Sequence, residues 1–128
     1  MGIRVMIGDS SARAHALAAK YAQSDKVDSL VVAPGNDFIK WAIESQYEKE
    51  VIIASATLDD AHSFLHVAQQ HRPNLIDIMQ DDALSAGTVD KLQEYGFATF
   101  GATKAASEIE HSKGFSRKLM EGLGIPSP

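Results

Sequence analysis

The stretch of sequence that decides the fold runs from Ile3 to Leu17 and reads Ile-Arg-Val-Met-Ile-Gly-Asp-Ser-Ser-Ala-Arg-Ala-His-Ala-Leu. An apolar run rich in β-branched residues stops at Gly8, small polar residues follow, and an alanine-rich run then begins. This order predicts a buried strand, a tight turn and the N-terminus of a helix. Such a turn presents unpaired backbone N–H groups and the positive end of a helix dipole, so it predicts a place where a phosphate can bind.

The composition limits the class of protein. The 128 residues suit one domain, which can bury roughly two-thirds of the surface that its unfolded chain exposes. The absence of cysteine excludes disulfides, thiol catalysis and cysteine-ligated metals, and it fits a reducing compartment. The net charge of -5 comes without a basic stripe, so no nucleic-acid partner is expected. With no signal-peptide pattern and no apolar run of about 20 residues, we expect a cytoplasmic protein that stays out of the membrane.

Strand and helix patterns alternate five times along the chain, which predicts a parallel sheet with helices on both faces. The predicted fold class is therefore α/β, a Rossmann-like three-layer domain with a five-stranded parallel sheet. Trp41 and Ile43 are expected to pack inward. The predicted strands are Ile3–Ile7, Ser29–Ala33, Val51–Ala54, Leu75–Met79 and Phe97–Phe100. Four helices are predicted between these strands. They are Arg13–Ser24, Asp37–Tyr47, a third that runs to Gln70 and Ala83–Tyr95. The third is capped by Thr57, Asp59 or Asp60, and Gly96 ends the fourth.

The last segment departs from this alternation. Two short helices are predicted, from Thr103 to Ile109 and from Ser112 to Leu123, and a proline-containing stretch from Gly124 to Pro128 follows. No sixth strand is predicted. We therefore expect residues 1–109 to form a substrate-binding domain, and residues 110–128 to be the linker and first helix of a further domain.

Four predicted loops share the edge of the sheet where the parallel strands end. Open sheets of this kind bind ligands beyond the carboxyl ends of their strands. The loops together define the candidate site, although position in a fold is weak evidence for function when it stands alone. They are Gly8–Ser11, Pro34–Asn36, Met79–Asp82 and Gly101–Lys104.

The first loop carries the predicted phosphate contacts. Ser10 and Ser11 are small enough for a phosphate cradle, but the loop lacks the G-x-G-x-x-G fingerprint and can equally be a plain strand-to-helix turn. Arg13 can pair with a phosphate as a bidentate donor. His15 can donate to a sugar oxygen, or it can be a packed residue that caps the turn.

The second and third loops offer further candidates. Gly35 and Asn36 belong to an ordinary strand-ending turn that can also supply an amide contact. Asp81 and Asp82 follow the fourth strand, where one of them can bind an amine or sugar hydroxyls. The alternative is that one caps the next helix and the other is an acidic residue of its first turn.

No catalytic or metal-binding constellation emerges from the sequence. His62, His66 and His71 lie along one predicted helix without the acidic H-E-x-x-H context, so we interpret them as surface residues. No nucleophile lies next to a base in the sequence pattern, so no catalytic residue is assigned. The residues themselves point to a phosphate- or sugar-binding α/β domain.

The order of the motifs resembles the N-terminal domain of the phosphoribosylamine–glycine ligase (glycinamide ribonucleotide synthetase) family, in the ATP-grasp superfamily. That family opens with a strand and then Gly-Ser-Gly-Gly-Arg-Glu-His-Ala-Leu. Its later blocks include Ala-Pro-Gly-Asn, Leu-Val-x-Gly-Ile-Val-Asp and Phe-Gly-Pro-Thr-Lys-Ala-Ala, and then Glu-x-Ser-Lys-x-Phe and Gly-Ile-Pro. The matching positions here are Arg13, His15–Leu17, Ala33–Asn36, Leu84, Gly87, Val89, Asp90, Phe100–Ala106, Glu110, Ser112, Lys113, Phe115 and Gly124–Pro126.

The resemblance implies a role in purine biosynthesis, where the family joins glycine to 5-phosphoribosylamine with ATP. ATP phosphorylates the glycine carboxylate, and the ribosylamine nitrogen attacks the acyl phosphate. ATP and Mg²⁺ or Mn²⁺ would bind mainly in an ATP-grasp domain outside this chain, so this chain alone is expected to be inactive. Lys113 would approach the nucleotide phosphates. Phosphoribosylamine would be held by Ser10, Ser11, Arg13, His15, Gly35, Asn36 and Asp81.

Departures from the family pattern leave other readings open. The first loop is one residue longer, Ser11 and Ala12 replace a glycine pair, and Met79-Gln80-Asp81 replaces Gly-Pro-Glu. The chain can thus be a divergent ATP-grasp paralogue that uses another phosphosugar amine, or a stand-alone phosphosugar- or nucleotide-binding Rossmann-type module. A signalling receiver domain is disfavoured, because Asp9 stands without an acidic partner and Ala54-Ser55-Ala56 occupies the phosphoacceptor position.

Overall fold

A computed structural model describes residues 2–127. Within this range the chain alternates between strands and helices as the sequence predicts. The strands are β1 (Ile3–Ile7), β2 (Val27–Val32), β3 (Glu50–Ile53), β4 (Leu75–Asp77) and β5 (Thr99–Phe100). The helices are α1 (Ala12–Ala22), α2 (Asp37–Tyr47), α3 (Ala61–His71), α4 (Asp81–Ser85), α5 (Thr88–Glu94), α6 (Lys104–His111) and α7 (Lys113–Gly122).

The five strands form one parallel sheet in the order β3-β2-β1-β4-β5, which confirms the predicted α/β class. The chain moves outward from β1 to β3 and then returns to the other side of β1. The first two helices cover one face of the sheet, and α3, α4 and α5 cover the other. Side chains of successive β1 residues lie on opposite faces of the sheet: Val5 and Ile7 pack toward α1 and α2, whereas Met6 packs toward α3. All three are fully buried, as the central strand of a parallel sheet requires.

Three boundaries on the second half of the sheet differ from the prediction, and one of them is that β5 begins at Thr99 instead of Phe97. The fourth strand ends at Asp77, so Ile78 and Met79 belong to the loop that follows it. The single helix predicted from Ala83 to Tyr95 is wrong, because α4 and α5 are separate. Gly87 has φ of 81°, a left-handed conformation that interrupts the helix and that glycine adopts without steric penalty. The break turns the chain between α4, which follows β4, and α5, which packs on the same face of the sheet as α3.

The second helix exposes a residue that was predicted to be inward. Ile39 and Ile43 are its buried residues, and they lie four positions apart on one face. Trp41 falls midway between them in sequence and therefore points away from that face, with 63% of its surface exposed. The prediction was right for Ile43 and wrong for Trp41.

The last two helices continue beyond the sheet. The seventh helix has no buried residue in the part of the chain that the structure describes, and the sixth buries only Ser107. Pro128, the end of the predicted proline-containing stretch, lies outside the described residues. Among residues 2–127, none of the helices is both long and apolar enough to cross a membrane.

Candidate functional site

The turns after β1 and β2 are joined at the carboxyl edge of the sheet. Asn36 donates a side-chain hydrogen bond to the carbonyl oxygen of Ser10 at 2.9 Å, and the backbone N–H of Gly35 donates to the carbonyl oxygen of Asp9 at 3.3 Å. Asn36 also caps α2, because its side-chain oxygen accepts from the backbone N–H of Ile39 at 3.0 Å. The structure thus brings Ser10, Gly35 and Asn36 together, and Asn36 holds the arrangement.

A carboxylate already occupies the predicted phosphate cradle. Asp9 is only 2% exposed, and its Oδ1 accepts hydrogen bonds from the backbone N–H groups of Ser10 at 2.7 Å and Ser11 at 3.1 Å. The hydroxyl of Ser11 donates to the other carboxylate oxygen. These are the donors that would otherwise face an anion at this turn. Asp9 lies within the predicted Gly8–Ser11 loop but was given no role there, although an aspartate two residues before a helix-capping serine is a local signal for this kind of turn.

Arg13 lies between two carboxylates. Its Nε is 3.9 Å from Oδ2 of Asp9, and its Nη1 is 3.9 Å from Oδ1 of Asp81. The Arg13 side chain is 52% exposed, so these pairs are loose and partly screened by water. The guanidinium connects the turn after β1 with the start of α4, and it remains accessible to a ligand.

His15 faces aromatic rings. Its ring contacts Phe38 edge to face, with centroids 5.4 Å apart and planes inclined by 70°. Phe38 in turn lies 5.6 Å from Trp41, at an inclination of 37°. This contact supports the interpretation of His15 as a packed residue. The ring belongs to the first turn of α1, which also carries Arg13.

Asp81 belongs to the first turn of α4, and half of its side-chain surface is exposed. The helix is capped by Gln80, whose side-chain oxygen accepts from the backbone N–H of Ala83 at 3.0 Å. The alternative in which one of Asp81 and Asp82 caps the helix is therefore wrong in that respect, and both are acidic residues of the first turn. Without a capping role, the carboxylate of Asp81 is available to Arg13 and to a ligand.

A buried aspartate and a half-buried tyrosine form a pair of ionisable side chains on the α1 side of the same sheet. The hydroxyl of Tyr21 donates to Oδ2 of Asp77 at 2.7 Å, and Oδ1 of Asp77 is buried without a hydrogen-bond partner in the described structure. Burial raises the pKa of Asp77 above its ordinary value, and the Tyr21 hydrogen bond acts in the opposite direction. Burial and then the neighbouring carboxylate raise the pKa of Tyr21. Local sequence patterns did not reveal this pair.

Lys113 is placed apart from the other predicted residues. It begins α7 and lines a cleft of about 350 Å³ together with Glu110 and Arg117. In the described residues, no hydrogen bond or ion pair joins Lys113 to Ser10 or Arg13. Glu110 also lines a narrow cleft with Asp81, so the α6–α7 segment lies next to the candidate site.

Among the residues that the structure describes, acidic residues and histidines do not converge into a metal centre. No group of three or more histidine, aspartate or glutamate side chains within residues 2–127 is arranged to hold a metal ion. His62 and His66 are exposed and His71 is half-buried, in agreement with their interpretation as surface residues.

Comparison with known sequences adds a family relationship. A family model described as "Phosphoribosylglycinamide synthetase, N domain" matches residues 3–110. A phosphoribosylamine–glycine ligase from Halalkalibacterium halodurans is 35% identical over 125 residues, which are 98% of this chain and 27% of that relative. One from Agrobacterium fabrum is 34% identical over the same length, with 98% and 28% covered. The chain thus spans about a quarter of the length of these relatives.

Comparison with solved structures shows the same fold in distant proteins. The biotin carboxylase domain of a single-chain bacterial carboxylase aligns with a TM-score of 0.68 at 16% identity, over 97% of this chain and 30% of its own. Glycinamide-RNase-transformylase T from Mycobacterium tuberculosis aligns with a TM-score of 0.62, also at 16% identity, over 97% of this chain and 36% of its own. At this level of identity the likeness concerns the fold alone.

Proposed function

The chain belongs to the phosphoribosylglycinamide synthetase N-domain family, and from this we propose that it acts as the N-terminal domain of a phosphoribosylamine–glycine ligase. The observation that carries the proposal is the match of 98% of the chain to about a quarter of the length of relatives named for that activity. The proposed parent enzyme is an ATP-dependent carboxylate–amine ligase that makes glycinamide ribonucleotide in de novo purine biosynthesis. We place it in the cytoplasm.

The proposed task of this domain is to hold phosphoribosylamine. The exposed guanidinium of Arg13 is suited to the phosphate, and the half-exposed carboxylate of Asp81 is suited to the amine or to ribose hydroxyls. Asn36 supports this arrangement by tying the turns after β1 and β2 together. The proposed substrate-binding residues are Ser10, Ser11, Arg13, His15, Gly35, Asn36 and Asp81.

ATP and Mg²⁺ or Mn²⁺ are proposed to bind mainly outside this chain. The described residues contain no cluster of metal ligands, so the divalent cation is assigned to the remaining part of the parent enzyme. Lys113 is proposed to approach the nucleotide phosphates, because it presents a positive charge in the cleft beside Arg117. Bound ATP would supply the phosphoryl group that activates the glycine carboxylate. With this part of the enzyme elsewhere, the chain alone is expected to show no turnover.

We propose a domain boundary after residue 109, which lies in the last turn of α6. The family match ends at residue 110, and α7, which follows, has no buried residue among those described. Residues 1–109 would then form the substrate-binding domain, and residues 110–128 would lead into the ATP-grasp domain.

One observation favours the alternative, a divergent ATP-grasp paralogue or a stand-alone phosphosugar- or nucleotide-binding module. Asp9 fills the turn with its own carboxylate, which weakens the case for a phosphate at that point. The alternative keeps the fold and the exposed Arg13–Asp81 edge but assigns a different ligand to them.

Calorimetric titration with ribose 5-phosphate, a stable substitute for phosphoribosylamine, tests the proposal. Binding that disappears in Arg13→Ala would support a phosphosugar site in this domain. If no heat is observed, the same titration on the intact parent separates a site that needs the other domains from a site that takes another ligand. Absence of binding and of ligase turnover in the intact parent would refute the proposed function.

A further inference from the structure

Three aromatic side chains form a continuous row next to the candidate site. His15 contacts Phe38 at 5.4 Å between centroids, and Phe38 contacts Trp41 at 5.6 Å. His15 lies one turn into α1, whereas the other two residues lie on the first turns of α2. The row therefore crosses from one helix to the next where both helices begin at the carboxyl edge of the sheet.

The outer part of this row is open to solvent. Phe38 is 60% exposed and Trp41 is 63% exposed, although Ile39 and Ile43 of the same helix are buried. Packing of the domain itself does not account for the two large rings, because the core is closed beneath them by Ile39 and Ile43. Contiguous exposed apolar surface rimmed by polar residues marks binding sites, and these two rings are in direct contact with each other.

The row is continuous with polar groups that suit a ribose. Asn36 caps the helix that carries Phe38, and its side chain is bonded to Ser10 in the turn after β1. Beyond this turn lie the half-exposed side chains of Arg13 and Asp81. A carboxylate at the carboxyl edge of an open parallel sheet is a suitable acceptor for ribose hydroxyls.

We propose that Phe38 and Trp41 form a stacking platform for a planar heteroaromatic ring, and that this edge also takes a nucleoside, whose ribose lies toward Asp81 and competes there with phosphoribosylamine. Aromatic side chains bind bases through their π-faces with little preference for the base, and a neighbouring acid binds the sugar. The inference goes beyond the proposed function, because phosphoribosylamine contains no aromatic ring. It also fits the internal occupation of the turn by Asp9, since a nucleoside needs no phosphate site there.

The chain contains its own probe for this platform. Trp41 is the single tryptophan in the sequence, so indole fluorescence reports on one position. We expect adenosine to quench this fluorescence in a saturable manner when the indole is excited at the red edge of its absorption, where adenine does not absorb. Ribose 5-phosphate, which lacks the ring, is expected to leave the fluorescence unchanged.

Two variants of Phe38 test the stacking directly. Phe38→Ala is expected to weaken adenosine binding about tenfold, and Phe38→Leu, which keeps the apolar bulk but not the ring, is expected to weaken it by a similar factor. Neither variant should unfold the domain, because the side chain is mostly exposed. Tyr95→Ala is the matched control, since Tyr95 is 52% exposed and belongs to the opposite face of the sheet, where Lys91 lies over its ring. Adenosine affinity in this control should equal that of the parent sequence.

Each outcome is decisive for the platform. No quenching by adenosine, equal affinity in Phe38→Ala, or a fluorescence change that follows protein concentration instead of adenosine would overturn it; the last result would indicate self-association. The proposed ligase function is tested independently by ribose 5-phosphate calorimetry and by turnover of the intact parent. Adenosine binding without these activities would sink the ligase proposal alone, and the reverse result would sink the platform alone.

Discussion

The hydroxyl of Tyr21 on α1 lies 2.7 Å from Oδ2 of Asp77 at the end of β4, and it donates the hydrogen bond that joins these two elements. The other carboxylate oxygen of Asp77 is buried and has no partner among the described residues. A buried carboxylate with one hydrogen bond is poorly compensated for the loss of water. For this reason the pair offers the sharpest test of how ionisation is coupled to the stability of the fold.

The stability of the domain is expected to depend on the ionisation of Asp77. Because burial raises its pKa, the folded chain binds this proton more tightly than the unfolded chain does. The contribution of Asp77 to stability is therefore fully present below the ordinary aspartate pKa of about 3.9, and it is lost as pH rises through the raised pKa of the folded state. Asp77→Asn keeps an acceptor for Tyr21 but cannot ionise. As pH rises through this range, urea unfolding should show the parent losing free energy of unfolding relative to Asp77→Asn. A difference in the free energy of unfolding that stays constant with pH would contradict the prediction.

Removal of the Tyr21 hydroxyl should destabilise the fold directly. Tyr21→Phe keeps the ring but leaves both oxygens of Asp77 without a partner among the described residues, and we expect a loss of about 2 kcal/mol in the free energy of unfolding. Tyr95→Phe removes a hydroxyl from an exposed ring and should change stability by less than about 0.5 kcal/mol. Chemical denaturation measures both values. Equal losses in the two variants would show that the buried hydrogen bond makes no net contribution.

Gly35 is required by both its backbone conformation and its surroundings. Its φ is 61°, and a Cβ built there would lie 2.8 Å from the carbonyl oxygen of Val32. Gly124 has φ of 67° but has nothing within 4 Å of such a Cβ, so it shares the conformation without the collision. Gly35→Ala should therefore lose about 1–3 kcal/mol more stability than Gly124→Ala, as measured by thermal or chemical unfolding. Similar losses would mean that the turn relaxes freely around the added methyl group.

Local patterns were sufficient to predict most of the fold. The strand, turn and helix at the start of the chain were predicted from the break at Gly8, and five alternations were enough to predict a parallel sheet. The break at Gly87 was missed because a single glycine inside a helical pattern is compatible with an uninterrupted helix. Trp41 was predicted to be buried because it is hydrophobic. The buried face of α2 is the one that carries Ile39 and Ile43, and Trp41 does not lie on it.

The polar details of the site were less accessible to sequence reasoning. Tyr21 and Asp77 are separated by 56 positions, so no local pattern connects them. Asp9 was visible as a polar residue after the first strand, but whether its carboxylate turns inward to the backbone or outward to a ligand depends on the geometry of the turn. The predicted meeting of Ser10, Gly35 and Asn36 followed from topology alone, because parallel strands bring their carboxyl ends to one edge.

Arg13→Ala is expected to abolish or strongly weaken ribose 5-phosphate binding without unfolding the domain. The side chain is half exposed and its two carboxylate partners are 3.9 Å away, so its loss should change the free energy of unfolding by less than about 1 kcal/mol. Calorimetry measures the binding, and denaturation measures the stability. Retained binding, or a large loss of stability, would assign Arg13 a structural role instead.

Asp9→Asn should increase the affinity of the domain for phosphate-containing ligands. An asparagine side chain can still accept from the backbone N–H groups of Ser10 and Ser11, but it removes the negative charge 3.9 Å from the Arg13 guanidinium. Relief of about 1 kcal/mol of competing attraction corresponds to about fivefold tighter binding of ribose 5-phosphate, and the gain should shrink as salt concentration rises. Asp25→Asn makes the same change in net charge at an exposed position between α1 and β2, at the opposite edge of the sheet, and should leave the affinity unaltered. If Asp9→Asn binds no more tightly than Asp25→Asn at low salt, then the buried carboxylate does not compete with the ligand, and phosphate is bound away from this turn.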